Sequence, residues 1–162
     1  MRWSKYIGYL LLVVLLQVLL FDQLHIAGWG FPMVYVVFLM NLPVRIPRWA
    51  EMLIGATIGL VFDIVNSSLG VNMAACVAFS FFRPILLHKM VLDLERVKDE
   101  VCGQTIGKIE YVKCLTLLTL MHHLMVYFLE AWSLQNGVIL LLQTLISSVI
   151  TILIILIYDI FK

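Results

Sequence analysis

The residues of this sequence that could do chemistry are ionisable side chains inside long apolar segments. They are Asp63, Arg83, His123 and Glu130. A charged group within a bilayer is costly, so each must face a helix bundle, a cavity or a partner. One interpretation is a relay that passes protons or ions along these residues. The other is a polar seam that fixes helix packing. The second is favoured because Asp63 is the one carboxylate deep in an apolar segment and Glu130 is interfacial.

A glycine pattern surrounds Asp63. Gly55, Gly59 and Asp63 are spaced i, i+4, i+8 and share one helix face. Glycines four residues apart allow a second helix backbone to approach closely. Asn66 and Gly70 belong to the polar turn that ends this helix. The Asp63 carboxylate is expected to accept hydrogen bonds from that turn, or to meet a polar or cationic group of a neighbouring helix.

Arg83 is followed by Pro84, which removes a backbone donor and predicts a kink in the helix. We expect Arg83 to be buried and bound by groups of the third or fifth helix. A rise of ~1.5 Å per residue offsets Arg83 from Asp63 by roughly 10 Å in depth. A direct Asp63–Arg83 pair is therefore the less favoured alternative, and a water-bridged or kink-assisted contact stays open.

No catalytic or cofactor motif accompanies these residues. Adjacent His122 and His123 point about 100° apart on a helix, which suits chelation of one metal poorly. The sequence has no Ser–His–Asp arrangement, no phosphate loop and no paired deep carboxylates. Its three cysteines are not at metal or redox spacing, and Cys102 is expected to be a surface thiol. These observations predict a protein that is not an enzyme and uses no metal or cofactor.

Composition identifies the class of protein. Of 162 residues, 63% are hydrophobic and only 13% charged, and mean hydropathy is +1.05. A soluble domain of this size has too little interior to bury so much apolar surface. The chain is therefore predicted to be an all-α membrane protein in one domain, 1–162. The net charge of +1 gives no indication of nucleic-acid binding.

Hydropathy predicts six transmembrane helices. The second is short and carries Pro32 and Pro43 at its ends, so a tilted or irregular helix is expected, with a re-entrant segment as the alternative. Apolar Met90, Leu94 and Val97 recur at helical spacing and predict an amphipathic cytoplasmic helix over about 90–102, ended by Gly103. The predicted spans are about 6–24, 31–44, 50–68, 71–90, 113–131 and 137–161.

Basic residues predict the orientation. The segments assigned to the cytoplasm hold ten of the eleven, and the outside loops hold none. This asymmetry predicts a multi-pass membrane protein with both termini in the cytoplasm. The ten are Arg2, Lys5, Arg45, Arg48, Lys89, Arg96, Lys98, Lys108, Lys113 and Lys162.

Several short motifs resemble the rod shape-determining protein MreD family, particularly as found in Bacteroidota. They are Phe62-Asp63, Leu69-Gly70, Arg83-Pro84, and His122-His123 with Glu130. The resemblance implies a scaffold of the cell-wall elongation machinery in the bacterial cytoplasmic (inner) membrane. It also implies a fold similar to the substrate-binding subunits of energy-coupling-factor transporters. The expected partners are the bitopic protein MreC, the actin-like MreB, and the elongation glycosyltransferase and transpeptidase that make peptidoglycan.

Two other functions remain open. A small-molecule binding subunit of a vitamin or metal transporter would need a pocket of polar and aromatic groups beneath the outside loops. Such a pocket could include Asp22, His25, Trp29, Trp132 and Asn136. An ion or proton channel subunit would depend on Asp63, Arg83 and His123 alone.

Overall fold

Every regular element of the described residues is helical. A computed structural model of the chain describes residues 3–21, 30–92, 94, 97, 101–131 and 137–161. In chain order the helices are α1 (Trp3–Leu16, continued by a π-helical turn over Gln17–Phe21), α2 (Val36–Met40), α3 (Arg48–Asn66), α4 (Val71–Met90), α5 (Gly103–Ile106), α6 (Lys108–Ala131) and α7 (Gly137–Phe161). The prediction of an all-α protein is confirmed.

Four of these helices are long and apolar enough to cross a membrane. They are α3, α4, α6 and α7. The predicted spans 50–68, 71–90 and 137–161 agree with α3, α4 and α7 to within two residues. α6 begins at Lys108, earlier than the predicted 113. The chain is therefore a helical membrane protein, and outward leucines and isoleucines such as Leu145 and Leu153 suit a lipid-facing exterior.

Gly55 and Gly59 bring α3 against α4, as their spacing predicts. A β-carbon added at Gly59 would lie 2.6 Å from the Asn72 carbonyl oxygen. One added at Gly55 would lie 2.8 Å from the Cys76 carbonyl oxygen and would also clash with the Ser80 hydroxyl. The two backbones are in direct contact, and no larger residue fits between them without moving a helix.

Residues 30–43 form an irregular stretch that we call the buried segment. The helix predicted over 31–44 is observed only in part, since only Val36–Met40 is α-helical. The expected irregularity is confirmed. Pro32 has no N–H to donate and Pro43 cannot extend a helix, so regular structure is confined between them. Every residue from Tyr35 to Pro43 is nevertheless buried. Non-helical backbone at this depth requires protein partners for its polar groups.

The predicted amphipathic helix over 90–102 is wrong where the structure describes it. α4 ends at Met90, and Val91 has an extended backbone. Val91, Leu94 and Val101 are buried in the main core. Because a straight continuation of α4 would carry these side chains away from the bundle, the chain must leave the helix to bury them. The charged residues Asp93, Glu95, Arg96, Lys98, Asp99 and Glu100 lie outside the described residues.

The next turn also differs from expectation. Gly103 begins the short helix α5 and does not end a helix. Cys102 precedes it and is only 7% exposed, so it is not the surface thiol predicted. Its backbone N–H donates to the Thr105 hydroxyl over 2.9 Å, which caps α5 and holds Cys102 inward.

Candidate functional site

Asp63 caps the first turn of α4. Its Oδ1 accepts hydrogen bonds from the Ser68 hydroxyl at 2.6 Å and from the Asn72 backbone N–H at 2.9 Å. The Asn72 side-chain amide also donates to Oδ1 at 3.1 Å, and the Met73 backbone N–H donates to Oδ2 at 2.9 Å. A carboxylate is favoured at a helix N-terminus because the first N–H groups there lack intrahelical partners. The first of the two arrangements expected for Asp63 is therefore observed.

The turn between α3 and α4 depends on left-handed backbone at two positions. Ser67 has φ of 54° and Gly70 has φ of 82°. Glycine adopts this conformation without steric cost, which explains Gly70 at the start of α4. Asn66 ends α3 and is exposed. The turn returns the chain within five residues of Asp63, so the Ser68 hydroxyl can reach the carboxylate.

Arg83 is fully buried in the second half of α4 and pairs with Glu51. Its Nη1 lies 2.6 Å from Glu51 Oε1 on α3. Its Nε donates to the Met40 carbonyl at 3.0 Å, and its Nη2 donates to the Leu42 carbonyl. The prediction that Arg83 is buried and bound by the third helix is confirmed. The direct pair with Asp63 is not formed. Pro84 follows inside α4, as expected.

A third cluster of polar side chains lies between Asp63 and Arg83. The Tyr35 hydroxyl donates to Asn72 Oδ1 at 3.0 Å and lies 3.3 Å from His122 Nε2. The Tyr35 ring stacks on Phe62 with centroids 4.2 Å apart. Since Asn72 also binds Asp63, this cluster joins α3, α4 and α6 to the buried segment.

The side chains of α6 and α7 hold the start of the buried segment. His123 Nδ1 lies 2.9 Å from the Thr119 carbonyl, and its Nε2 lies 3.3 Å from the Thr151 hydroxyl. Thr151 in turn accepts the Met33 backbone N–H at 3.1 Å. Ser147 and Thr151 are fully buried, so this face of α7 packs inside the bundle.

Phe31 and the π-helical turn form the remaining contacts at the start of the buried segment. The Phe31 N–H is within hydrogen-bond distance of Tyr127 and Ser147, whose hydroxyls are 2.6 Å apart. Gln17 donates to the Pro32 carbonyl at 2.9 Å and accepts the Val34 N–H at 2.7 Å. Together these side chains provide hydrogen bonds for the backbone at the start of the buried segment, before α2 begins.

The geometry does not connect the four residues of the relay hypothesis. Asp63 is bound to the α3–α4 turn, and Arg83 is bound to Glu51 and the far end of the buried segment. His123 contacts Thr119 and Thr151. Glu130 is exposed and forms no hydrogen bond or ion pair within the described part of the chain. The polar groups are instead arranged around residues 30–43.

Sequence reasoning missed the partners that matter most. The sequence places Glu51 in the first turn of α3, where a carboxylate favours the helix dipole, and this position gives no indication of its pairing with Arg83 on the neighbouring helix. Gln17 is the one polar residue of an apolar run, which is a signal that it binds something buried. Tyr35 carries no such signal, because its role depends on the irregular path of the buried segment.

One polar cavity opens at the end of the bundle that carries Asp63, opposite the end with Arg45, Arg48 and Lys89. Its volume is about 200 Å³. We call it the terminal cavity. Its described lining is Gln17, Phe31, Met33, Tyr35, Asn66, Ser68, Asn72, Tyr127 and Glu130. The residues expected to contribute to an outer pocket, Asp22, His25, Trp29, Trp132 and Asn136, lie outside the described residues.

Among the described residues, no group of three His, Cys, Asp or Glu side chains is placed to hold a metal ion. His122 and His123 are adjacent, but their rings are tilted 73° to each other and they bind different partners. No family model matches the sequence, no curated protein matches it, and no solved structure matches the chain.

Proposed function

We propose that this chain is a non-enzymatic membrane scaffold of the bacterial cell-wall elongation complex. In this proposal it belongs to the MreD family, binds an MreC-like bitopic protein, and helps organise peptidoglycan synthesis with an MreB-like filament, a glycosyltransferase and a transpeptidase. The sequence resemblance at Asp63, Gly70, Arg83-Pro84 and Glu130 motivates it.

The observation that carries the proposal is that the buried polar side chains bind other parts of the same chain. Asp63, Arg83 and His123 are all engaged in holding helix ends or the buried segment. A scaffold requires a rigid interior and apolar outer faces for partners and lipid. Both follow when polar groups hydrogen-bond to one another inside the bundle.

The proposed topology has six membrane-crossing segments and cytoplasmic termini. It adds α1 with its π-helical turn, and the buried segment, to the four long helices. All basic residues of the described helix ends then face the cytoplasm, in keeping with the positive-inside rule. The fold is proposed to be similar to the substrate-binding subunits of energy-coupling-factor transporters.

The test is affinity purification of the tagged protein from native membranes in a mild detergent, with mass spectrometry of co-purified proteins. We expect a single-pass MreC-like protein at a constant ratio, together with enzymes of wall elongation. Recovery of a nucleotide-binding transporter module in their place would contradict the scaffold proposal.

A second candidate is favoured by the terminal cavity. A small-molecule binding subunit of an energy-coupling-factor-type transporter needs a polar and aromatic pocket at the outer end of its helices, and residues such as Tyr35, Asn72 and Tyr127 line one here. In this case the same purification would yield transporter subunits, and mass spectrometry of the denatured sample would detect a bound vitamin or metal.

A further inference from the structure

The described residues that line the terminal cavity carry charge of a single sign. Among the described residues that line it, Glu130 is the one ionisable carboxyl group and none is Lys, Arg or His. Asp63 adds a second negative charge directly behind the wall, through Ser68 and Asn72. A cavity of this kind attracts cations and repels anions.

Some polar side chains that line the terminal cavity already have hydrogen-bond partners, and others do not. Ser68, Asn72 and Tyr127 are already bound to protein groups. Glu130 and Asn66 have no hydrogen-bond partner within the described part of the chain. The groups left for a ligand are therefore a carboxylate and a carboxamide. The carboxylate accepts only, which again favours a positively charged ligand.

The aromatic residues of the lining fit the same chemistry. Three residues of the lining, Phe31, Tyr35 and Tyr127, are aromatic, and Phe62 covers one face of the Tyr35 ring. Ring faces attract organic cations, and recognition of ammonium groups by aromatic side chains is a recurring use of this attraction. A volume of about 200 Å³ equals that of roughly seven water molecules at ~30 Å³ each. The space suits a small organic ion and exceeds what a bare metal ion needs.

We propose that the terminal cavity binds a small organic ammonium ion, with its positive charge at Glu130. The inference rests on the second candidate function and is independent of the scaffold role. An ammonium group could come from the water phase or from the headgroup of an aminophospholipid. The soluble source is favoured, because the described lining offers no cation to the phosphate that such a headgroup carries.

The experiment uses the full chain in nanodiscs of phosphatidylglycerol, with choline as the probe and isothermal titration calorimetry as the measurement. The matched ligand is the uncharged analogue in which a quaternary carbon replaces the nitrogen of choline. The matched variants are Glu130→Gln and Glu110→Gln, which remove a carboxylate from opposite ends of α6. Thermal unfolding without ligand checks that both variants fold.

We expect choline to bind at least tenfold more tightly than its carbon analogue. Glu130→Gln should weaken choline binding at least tenfold, while Glu110→Gln leaves it unchanged. Equal affinity for the two ligands, no effect of Glu130→Gln, or no binding of choline would each overturn the proposal. If phosphatidylethanolamine in the nanodisc abolishes choline binding, the cavity belongs to a lipid headgroup and the soluble ligand is wrong. None of these results bears on co-purification of an MreC-like partner, which tests the scaffold proposal separately.

Discussion

Replacing Glu51 with leucine should destabilise the protein strongly, because it leaves the Arg83 guanidinium buried without its carboxylate. The two side chains are 3% and 1% exposed, and their closest N–O distance is 2.6 Å. Removing one partner of a buried ion pair costs roughly 3–5 kcal/mol of unfolding free energy, since the remaining charge stays desolvated.

A double variant distinguishes the interaction between Glu51 and Arg83 from the interactions that each side chain makes with other groups. Arg83→Met alone leaves Glu51 buried and also removes the donor to the Met40 and Leu42 carbonyls. Each orphaned carbonyl costs about 1–3 kcal/mol. Glu51→Leu combined with Arg83→Met retains the carbonyl penalty but leaves no unpaired charge. The double variant should therefore be more stable than the sum of the single effects predicts, by roughly 2–3 kcal/mol.

The assay is reversible unfolding in mixed micelles of a mild detergent and dodecyl sulfate, followed by circular dichroism. Arg48→Met is the matched control, because Arg48 is an exposed basic residue at the start of the same helix as Glu51. It should change the free energy of unfolding by less than about 0.5 kcal/mol. Strict additivity of Glu51→Leu and Arg83→Met would refute the reasoning, since it would mean that the two charges do not interact.

Three further predictions concern helix packing, the buried segment and orientation. Gly59→Ala should lower thermal stability clearly, because the added methyl group would meet the α4 backbone. Gly8→Ala is the control and should not lower it, since nothing lies within 4 Å of that position. Equal effects of the two substitutions would exclude close α3–α4 packing. Thr151→Val should cost about 1–3 kcal/mol and speed amide exchange at Met33, whose N–H it leaves without an acceptor. The exposed Thr57→Val is the control, and unchanged exchange at Met33 would argue against this role. Gln104→Cys, more exposed than Cys102, should react only from the cytoplasmic side and Ser133→Cys only from outside; labelling of Ser133→Cys from the cytoplasmic side alone would contradict the six-segment topology.

The long helices and the Asp63 turn could be predicted because their causes are local in sequence. Apolar runs of sufficient length define α3, α4 and α7. The spacing of Gly55, Gly59 and Asp63 places the glycines against a neighbour and the carboxylate beside the next turn, and both are observed. The closeness of Ser68 and Asn72 to Asp63 along the chain makes this contact predictable.

The partner of Arg83 and the path of residues 30–43 could not be predicted in the same way. Glu51 is 32 positions from Arg83, and only the antiparallel packing of α3 on α4 brings the two to one depth. Helical hydrogen bonds are confined to the middle of the buried segment, and its two ends are held by Gln17, Thr151 and Arg83 on three other elements. The prediction of a helix over 90–102 is wrong for a related reason, because the apolar residues of this stretch are buried in the core.

The central claim is that the buried polar groups act structurally, and Asp63 tests it most directly. The measurement compares Asp63→Asn with Asp63→Leu for thermal stability in detergent, capture of the MreC-like partner, and cell shape. Asparagine keeps the shape and an oxygen for the Ser68 and Asn72 donors and loses only the acceptor of the Met73 N–H, so it should largely preserve all three. Leucine leaves four donated hydrogen bonds unmade and should weaken stability and partner capture by at least about 1–3 kcal/mol, the cost of one lost buried polar interaction. If both variants assemble normally yet abolish shape maintenance, the structural account fails, and a role that depends on the Asp63 charge must replace it.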